Sequence, residues 1–212
     1  MQRSLVGSEM CIRDRLYVVR HGRTAVNAAG KLLGRNDPEL DETGRKQASD
    51  LASRLGKVDL VISSPLKRTM ETASYIGATV ETDSRWLELD YGKLEGLSIE
   101  SVDNGVWKKW RSDIHWAPDG GESLAALGAR VTEACEEAVK ISKDKDVVVV
   151  THVSPVKAVL AWVLGVDDGV AWRCYVAPGS SMAIKMGDFG PCLLYTSPSP
   201  RDYAASRMPS SA

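Results

Sequence analysis

Two histidines and two arginines stand at the ends of apolar runs in this chain. Arg20 and His21 close the first run, Arg68 follows the second, and His152 follows the third. A guanidinium group matches phosphate oxygens at two points, and a neutral imidazole is a competent nucleophile. Because no carboxylate or cysteine cluster accompanies these residues, the pattern predicts a site for an anion rather than for a metal cation.

Apolar runs alternate with helical patterns along the chain, and this alternation predicts the elements that hold those residues. The predicted strands are Leu16–Arg20, Asp59–Ile62, Asp146–Thr151, Arg173–Val176 and Met182–Met186, and the predicted helices are Asp41–Leu55, Pro65–Ile76, Ser123–Ser142 and Pro155–Leu164. The order favours a three-layer α/β/α sandwich with a mainly parallel sheet. Since ligands bind beyond the carboxyl ends of such strands, residues after Val19, Ile62 and Val150 should share one crevice.

Composition narrows the class of protein. The chain has 212 residues, of which 43% are hydrophobic, and its net charge is −1, as expected for one globular domain. A charge near zero argues against a nucleic-acid-binding or membrane-surface protein. The four cysteines form no CxxC pair, so they indicate neither a zinc site nor a disulfide framework, and they fit a reducing cytoplasm.

The two ends of the chain are related through DNA. Met1–Asp14 can be encoded by a sequence that, followed by the bases AG, has a reverse complement translating as Cys192–Ala205. Two ends of a natural gene have no reason to be complementary. We therefore interpret residues 1–15 and 192–212 as translated sequencing adapter without a fold of its own, and we expect the domain to span residues 16–191.

Six motifs, in order, resemble those of the histidine phosphatase superfamily, which includes phosphoglycerate mutase. They are LYVVRHGRTAVN (Leu16–Asn27), GRNDPELDETGRKQA (Gly34–Ala48), SSPLKRTMETA (Ser63–Ala73), LELDYGKLEG (Leu87–Gly96), GGES (Gly120–Ser123) and VVVVTHVSPVK (Val147–Lys157). An RHG tripeptide alone is a weak signal, whereas six ordered motifs over nearly all of Leu16–Met186 are a specific one. The resemblance implies a phosphoglycerate mutase-like fold.

The resemblance also implies a role for each of the main polar residues. His21 would be the nucleophile that becomes phosphohistidine, and Arg20 and Arg68 would clamp the phosphoryl oxygens. His152 would be the second histidine, with a hydrogen bond to a phosphoryl oxygen. Glu88 aligns with the general acid and base, which protonates the leaving oxygen and later deprotonates water. Asp90 and Glu95 are the neighbouring carboxylates that could replace Glu88 in this role.

Three further residues are assigned from the same motifs. Asn27 aligns with an asparagine that contacts the phosphate, and Thr24 is a weaker candidate for such a contact. Gly22 would let the backbone turn tightly beside the phosphate. The family usually has glycine after the second histidine, and Val153 stands there in this chain. That departure restricts the backbone next to the site without removing a reacting group.

The segment after Glu88 is rich in tryptophan and contains the third histidine. We interpret His115 as a cap or surface residue rather than as a catalyst. Trp107, Trp110 and Trp116 are typical of a core, although the insertion at residues 105–118 is expected to form a lid because the corresponding insertion covers the active site in this family.

The preferred hypothesis is a cytoplasmic, acid-type histidine phosphatase that hydrolyses a small-molecule phosphomonoester without a metal or other cofactor. One alternative is a phosphoglycerate mutase that uses the same phosphohistidine. The family's mutases carry longer insertions, whereas only residues 89–121 separate Glu88 from Glu122 here. A non-catalytic domain that binds phosphorylated ligands is a further alternative, although such domains tend to lose the histidine or the acid. The chain could also be one domain of a larger enzyme.

Overall fold

A six-stranded mixed sheet forms the centre of the molecule. The computed structural model describes residues 14–194, and the strand order is β3-β2-β4-β1-β5-β6. The strands are β1 Leu16–Arg20, β2 Leu60–Ser63, β3 Val80–Thr82, β4 Val147–Thr151, β5 Ser181–Gly187 and β6 Gly190–Leu194. The first four in chain order are parallel, and β5 and β6 are antiparallel to their neighbours. The predicted mainly parallel sheet is confirmed.

Helices cover both faces of this sheet, in three layers. They are α1 Ala25–Ala28, α2 Glu42–Leu55, α3 Lys67–Ser74, α4 Asn104–Ser112, α5 Leu124–Ile141 and α6 Val153–Leu164, with short 3-10 helices at Ser84–Trp86, Gly92–Leu94, Ile99–Ser101 and Asp168–Arg173. One face of β4 packs against α5 and α6, and the opposite face packs against α2 and α3. No helix among residues 14–194 is long and apolar enough to cross a membrane.

The central strands form because their side chains are apolar on both faces. All five residues of β4 are buried, as expected for a strand inside a parallel sheet. Burying each valine of this strand contributes roughly 1.5–3 kcal/mol. The register pairs Arg20 with Thr151 and Ser63 with Val150, so three parallel strands end at the same level. This common edge is the predicted crevice.

Two predicted helices begin at other residues than expected. The helix predicted from Pro65 begins at Lys67, because Leu66 has an extended backbone at the N-cap position. The helix predicted from Pro155 begins earlier, at Val153, with His152 as its N-cap residue. A proline in the first turn of a helix costs no hydrogen bond, so Pro155 is compatible with this earlier start.

The predicted strand at Arg173–Val176 is wrong. The 3-10 helix Asp168–Arg173 extends into it, and the residues that follow pair with no strand. Here the carbonyl of Val176 accepts a hydrogen bond from Arg20, so a side chain replaces a strand partner. Strand β3 was not predicted, because it has only three residues, two of them exposed, and shows no apolar alternation.

Most of the residues that we interpret as sequencing adapter, 1–13 and 195–212, lie outside the part of the chain that the structure describes. Three residues assigned to the adapter, Cys192–Leu194, lie within β6, which pairs with β5 at one edge of the sheet. At the other end, Arg15 forms an ion pair with Asp146, with a nitrogen–oxygen distance of 3.0 Å.

Candidate active site

His21 lies just beyond the end of β1 and is buried. Its backbone N–H donates to the carbonyl of Thr151 at 2.9 Å, which anchors it to the end of β4. Its ring Nδ1 lies 2.6 Å from the carbonyl oxygen of Gly22. A carbonyl can only accept, so Nδ1 carries the proton and the lone pair lies on Nε2. This is the tautomer that a nucleophilic imidazole requires.

The charge state of His21 follows from its surroundings. Burial lowers its pKa well below the ordinary value, and the nearby charges of Arg68 and Arg20 lower it further. The hydrogen bond to the carbonyl of Gly22 acts in the opposite direction, with a smaller effect. His21 is therefore neutral at physiological pH, as nucleophilic attack demands.

Gly22 is required by a close approach between two backbones. A Cβ atom on Gly22 would lie 2.3 Å from the carbonyl oxygen of Gly44, and one on Gly44 would lie 2.0 Å from the carbonyl oxygen of Arg23. Gly22 does not have a positive φ angle, so conformational freedom in a tight turn is not what requires glycine here. The contact presses the start of α2 against the loop that carries His21.

Arg68, in the first turn of α3, is fully buried and held by three acceptors. Its Nη1 and Nη2 donate to the carbonyl oxygens of Asn36 and Gly34, both at 2.7 Å. Its Nε donates to Nδ1 of His152 at 3.2 Å. A guanidinium has five N–H donors, so two remain for a ligand. The loop that holds Arg68 is itself fixed by Glu95, whose carboxylate accepts the backbone N–H groups of residues 34–36.

His152 is neutral and has the opposite tautomer to His21. Because its Nδ1 accepts from Arg68, its proton lies on Nε2, which is 2.8 Å from the hydroxyl oxygen of Ser64. Burial lowers the pKa of His152 well below the ordinary value, and His21 and the two site arginines lower it further. The structure thus adds Ser64 to the site, although its role was not predicted.

The guanidinium group of Arg20 has a hydrogen-bond acceptor at Nη1 but, within residues 14–194, none at Nε. Its Nη1 donates to the carbonyl of Val176 at 2.6 Å, whereas its buried Nε has no partner among the described residues. Burial lowers the pKa of Arg20 and of Arg68, and the charge of Glu88 is the largest opposing influence on both. A buried N–H without an acceptor is costly, so an incoming anion would relieve it.

Glu88 is buried, and its carboxylate meets the start of α6. Oε1 accepts the backbone N–H groups of Leu89 at 2.8 Å and Ser154 at 3.1 Å, and Oε2 accepts that of Val153 at 3.1 Å. Val153 is the first residue of α6 and does not have a positive φ angle. Glycine is therefore not required at this position, and the backbone N–H of Val153 remains free to bind Glu88.

The backbone of Glu88 is held by Arg130, a third arginine of the site that was not predicted. Nη2 of Arg130 donates to the carbonyl of Glu88 at 3.2 Å, and Nη1 donates to the carbonyl of Arg85. Arg130 also forms a two-point ion pair with Glu122 of the GGES motif, at 2.7 and 2.8 Å. Glu122 thus fixes the side chain that positions Glu88.

The two other carboxylates near Glu88 have structural partners. Glu95 binds the loop that holds Arg68, as described above. Asp90 accepts the N–H of Gly92 at 2.9 Å and lies 3.8 Å from Nε of Arg35. Neither carboxylate has the contacts with α6 that Glu88 has.

Thr24 and Asn27 bind each other at the start of α1. The backbone N–H and the hydroxyl of Thr24 donate to Oδ1 of Asn27, and the hydroxyl of Thr24 accepts the N–H of Asn27. This capping box occupies the amide oxygen of Asn27. Only its Nδ2 group is then available to donate to a phosphoryl oxygen.

The tryptophan-rich segment contributes to the core, and its Trp107 and Trp110 also line a cavity of about 110 Å³. Trp110 is buried, and its ring is stacked on Trp107 with centroids 5.7 Å apart. Trp116 and Trp172 meet the same ring edge-on. His115 is exposed, with its backbone N–H bonded to Asp113, as its interpretation as a surface residue predicted.

Comparison with known proteins identifies relatives along almost the whole described chain. A family model described as "Histidine phosphatase superfamily (branch 1)" matches residues 16–197. The chain is 37% identical over 168 residues to phosphoserine phosphatase 1 of Hydrogenobacter thermophilus, covering 74% of this chain and 80% of that protein. It is 35% identical over 167 residues to the glucosyl-3-phosphoglycerate phosphatase of Mycobacterium tuberculosis, covering 71% and 75% of the two chains.

Solved structures share the fold. The mycobacterial glucosyl-3-phosphoglycerate phosphatase complexed with VO3 has a TM-score of 0.77 and 31% identity, over 85% of this chain and 96% of that chain. A mutant phosphoserine phosphatase of Entamoeba histolytica in complex with phosphoserine has a TM-score of 0.80 and 25% identity, over 85% and 95%. The sheet and helices described above are therefore those of the phosphatase structures.

Proposed function

We propose that this chain, which belongs to the histidine phosphatase superfamily, hydrolyses small phosphomonoesters through a phosphohistidine on His21. The observation that carries the proposal is the hydrogen bond from Nδ1 of His21 to the carbonyl of Gly22. It leaves an unprotonated Nε2 on a buried ring that lies close to the charges of Arg20 and Arg68. A neutral nucleophile among cationic groups is suited to attack on a phosphate ester.

In the first step, Nε2 of His21 attacks phosphorus and the bond from phosphorus to the leaving oxygen breaks. Arg20 and Arg68 bind the phosphoryl oxygens, the former through its unsatisfied Nε and the latter through its two remaining donors. His152 donates from Nε2 to a phosphoryl oxygen in place of Ser64. Nδ2 of Asn27 is a further donor, and the backbone at Gly22 lies beside the phosphate.

Glu88 supplies the proton that the leaving oxygen needs. Its Oε2 accepts one backbone N–H, whereas Oε1 accepts two, so Oε2 keeps a lone pair that can carry a proton. In the second step, water attacks the phosphorus of phosphohistidine and Glu88 takes the proton from that water. The bond from phosphorus to Nε2 then breaks, and inorganic phosphate leaves.

The proposed enzyme is of the acid type, cytoplasmic, and independent of metal ions and other cofactors. Because burial and two arginines lower the pKa of His21, the nucleophile stays unprotonated in mildly acidic solution. The arginines also supply the positive field that a metal ion provides in other phosphatases. Turnover that is lost in chelator and restored by magnesium or zinc would contradict this part of the proposal.

We further propose that residues 1–15 and 192–212 contribute nothing to turnover, and that the catalytic domain is 16–191. The proposal rests on the finding that the two ends can be encoded by DNA sequences that are complementary to each other. A chain that lacks both ends should match the turnover of the full chain, and a large loss would show that the ends are functional.

The proposed function is tested by release of inorganic phosphate from a panel of phosphorylated metabolites and p-nitrophenyl phosphate. The full chain should release phosphate from several of them, and His21→Ala should abolish release. His115→Ala is the matched control, since this histidine is exposed and distant in sequence from the strand ends. Equal activity of His21→Ala and the full chain would overturn the proposal.

A further inference from the structure

The two ring nitrogens of His152 each have a hydrogen-bond partner. Nε of Arg68 donates to Nδ1 at 3.2 Å, and Nε2 lies 2.8 Å from the hydroxyl oxygen of Ser64. All three residues are fully buried. Because Nδ1 of the neutral ring accepts, Nε2 carries the proton and Ser64 is its acceptor. The donor that the proposed mechanism offers to a phosphoryl oxygen is therefore bound to Ser64 in this structure.

Ser64 has a fixed backbone and a side chain that can turn. Its N–H donates to the carbonyl of Val150 at 3.0 Å, and its carbonyl accepts from the hydroxyls of Ser63 and Thr69, both at 2.8 Å. The hydroxyl oxygen lies on one rotatable bond, for which three staggered positions are favoured. Rotation about that bond takes Oγ away from Nε2 of His152 without disturbing the end of β2.

The hydroxyl of Ser64 and a phosphoryl oxygen compete for one proton. Nε2 of His152 has a single N–H, so a phosphoryl oxygen can replace Ser64 as its acceptor only when the bond to Ser64 breaks. The free energy of the broken bond is subtracted from the free energy of phosphate binding. This matters for the product, because release of the product limits the turnover of many enzymes.

We propose that Ser64 is a temporary acceptor, which holds the Nε2 proton of His152 between turnovers and lowers the affinity of the site for inorganic phosphate. Ser64 is then a positioning residue, because it acts through His152 and does not touch the reacting atoms. The inference rests on the proposed function, which makes inorganic phosphate the product that must leave a buried site with two arginines. A serine that bound the phosphate itself, or only supported the site, would raise this affinity instead.

Binding of inorganic phosphate, measured by calorimetry, tests the inference through the sign of the change. Ser64→Ala removes the acceptor and should raise the affinity for phosphate about 3- to 10-fold, the range expected for one hydrogen bond between neutral groups. Ser64→Cys keeps a side chain of similar size with only a weak acceptor, so it should raise the affinity by a smaller factor. An unchanged or lower affinity in Ser64→Ala would overturn the inference.

Ser142→Ala is the matched control. Ser142 is also a buried serine, but its hydroxyl donates to the carbonyl of Val139 near the end of α5. Its replacement should leave the affinity for phosphate unchanged. Equal gains in Ser142→Ala and Ser64→Ala would refute a specific role of Ser64.

A second measurement needs no variant. In a structure of the full chain with orthovanadate, Oγ of Ser64 should have left Nε2 of His152, whose proton is then donated to a vanadate oxygen. A hydrogen bond between Ser64 and His152 that persists in that complex would contradict the inference. If the full chain binds phosphate but hydrolyses no ester, the proposed function fails and the affinities still decide the inference. Absence of phosphate binding by the full chain would overturn both.

Discussion

The rings of His21 and His152 meet edge to face, with centroids 5.1 Å apart and ring planes at 67°. The two imidazoles have opposite tautomers, since Nδ1 of His21 donates to a carbonyl and Nδ1 of His152 accepts from Arg68. The Nε2 atoms of the two histidines can therefore have different roles. Nε2 of His21 has a lone pair that can attack phosphorus, and Nε2 of His152 carries a proton that it can donate to a phosphoryl oxygen.

This pair should make the stability of the protein fall in acid. Both pKa values lie well below the unfolded value of 6.5. Below pH 6.5 the unfolded chain binds protons that the folded chain does not, so the free energy of unfolding falls as pH decreases through that range. The contribution of each histidine should approach about 1.4 kcal/mol per pH unit toward pH 5, where the unfolded side chain is almost fully protonated. Denaturant unfolding at several values between pH 5 and 6.5 measures the slope.

Variants of single histidines identify the source of this slope. His21→Gln should remove about one half of the histidine contribution, because His152 remains. An unchanged slope in His21→Gln would show that His21 is protonated in the folded chain, contrary to the account above.

Glu88→Gln should slow hydrolysis in proportion to the need of the leaving group for a proton. Loss of a general acid typically costs about 10²–10⁴ in rate. The loss should be large for an alkyl phosphate and smaller for p-nitrophenyl phosphate, whose leaving group departs as an anion. The measurement is kcat for both esters in both proteins. Equal losses would assign Glu88 a structural role at the start of α6.

Gly44→Ala should destabilise the protein although alanine favours helices. The helix preference for alanine is about 1 kcal/mol, but the new Cβ would lie 2.0 Å from the backbone oxygen of Arg23. A backbone atom cannot swing aside, so we expect a net loss of about 1–3 kcal/mol, with lower activity as the His21 loop shifts. Ser53→Ala, on an exposed face of α2, is the control. Equal unfolding free energies of the two variants would refute the argument.

Much of the site was predictable because parallel strands bring their ends together. His21, Arg68 and His152 follow three apolar runs, and the register of β1, β2 and β4 places all three strand ends at one edge. The helix predicted to begin at Asp41 is α2, and Asp41 is its N-cap residue, with a side chain that accepts the N–H of Gly44. Local patterns of this kind are visible in the chain itself.

Contacts between distant residues were not predictable in the same way. The hydrogen bonds of Arg130 to the carbonyls of Arg85 and Glu88 span 45 and 42 residues. No local propensity encodes such a bond, because it depends on how α5 packs against the loop after β3. The strand predicted at residues 173–176 was wrong for the same reason. The carbonyl of Val176 accepts a hydrogen bond from the side chain of Arg20, which is 156 residues away in sequence.

The phosphatase and mutase hypotheses differ in what happens to the phosphoenzyme. A mutase must keep water away while its product reorients. The connection after Glu88 is short, and its α4 helix packs its buried tryptophan into the core. With 3-phosphoglycerate and a trace of 2,3-bisphosphoglycerate, we expect phosphate release to exceed formation of 2-phosphoglycerate. A wide excess of isomerised product would establish a mutase instead.

The central claim, phosphate transfer to His21, is tested most directly by trapping the phosphoenzyme. The full chain is mixed briefly with substrate, quenched in base and digested, and the phosphorylated residue is located by mass spectrometry. The account predicts phosphate on His21 in a linkage that is labile in acid and stable in base, and none in His21→Ala. Phosphate on a serine, aspartate or cysteine, or unimpaired turnover by His21→Ala, would contradict it.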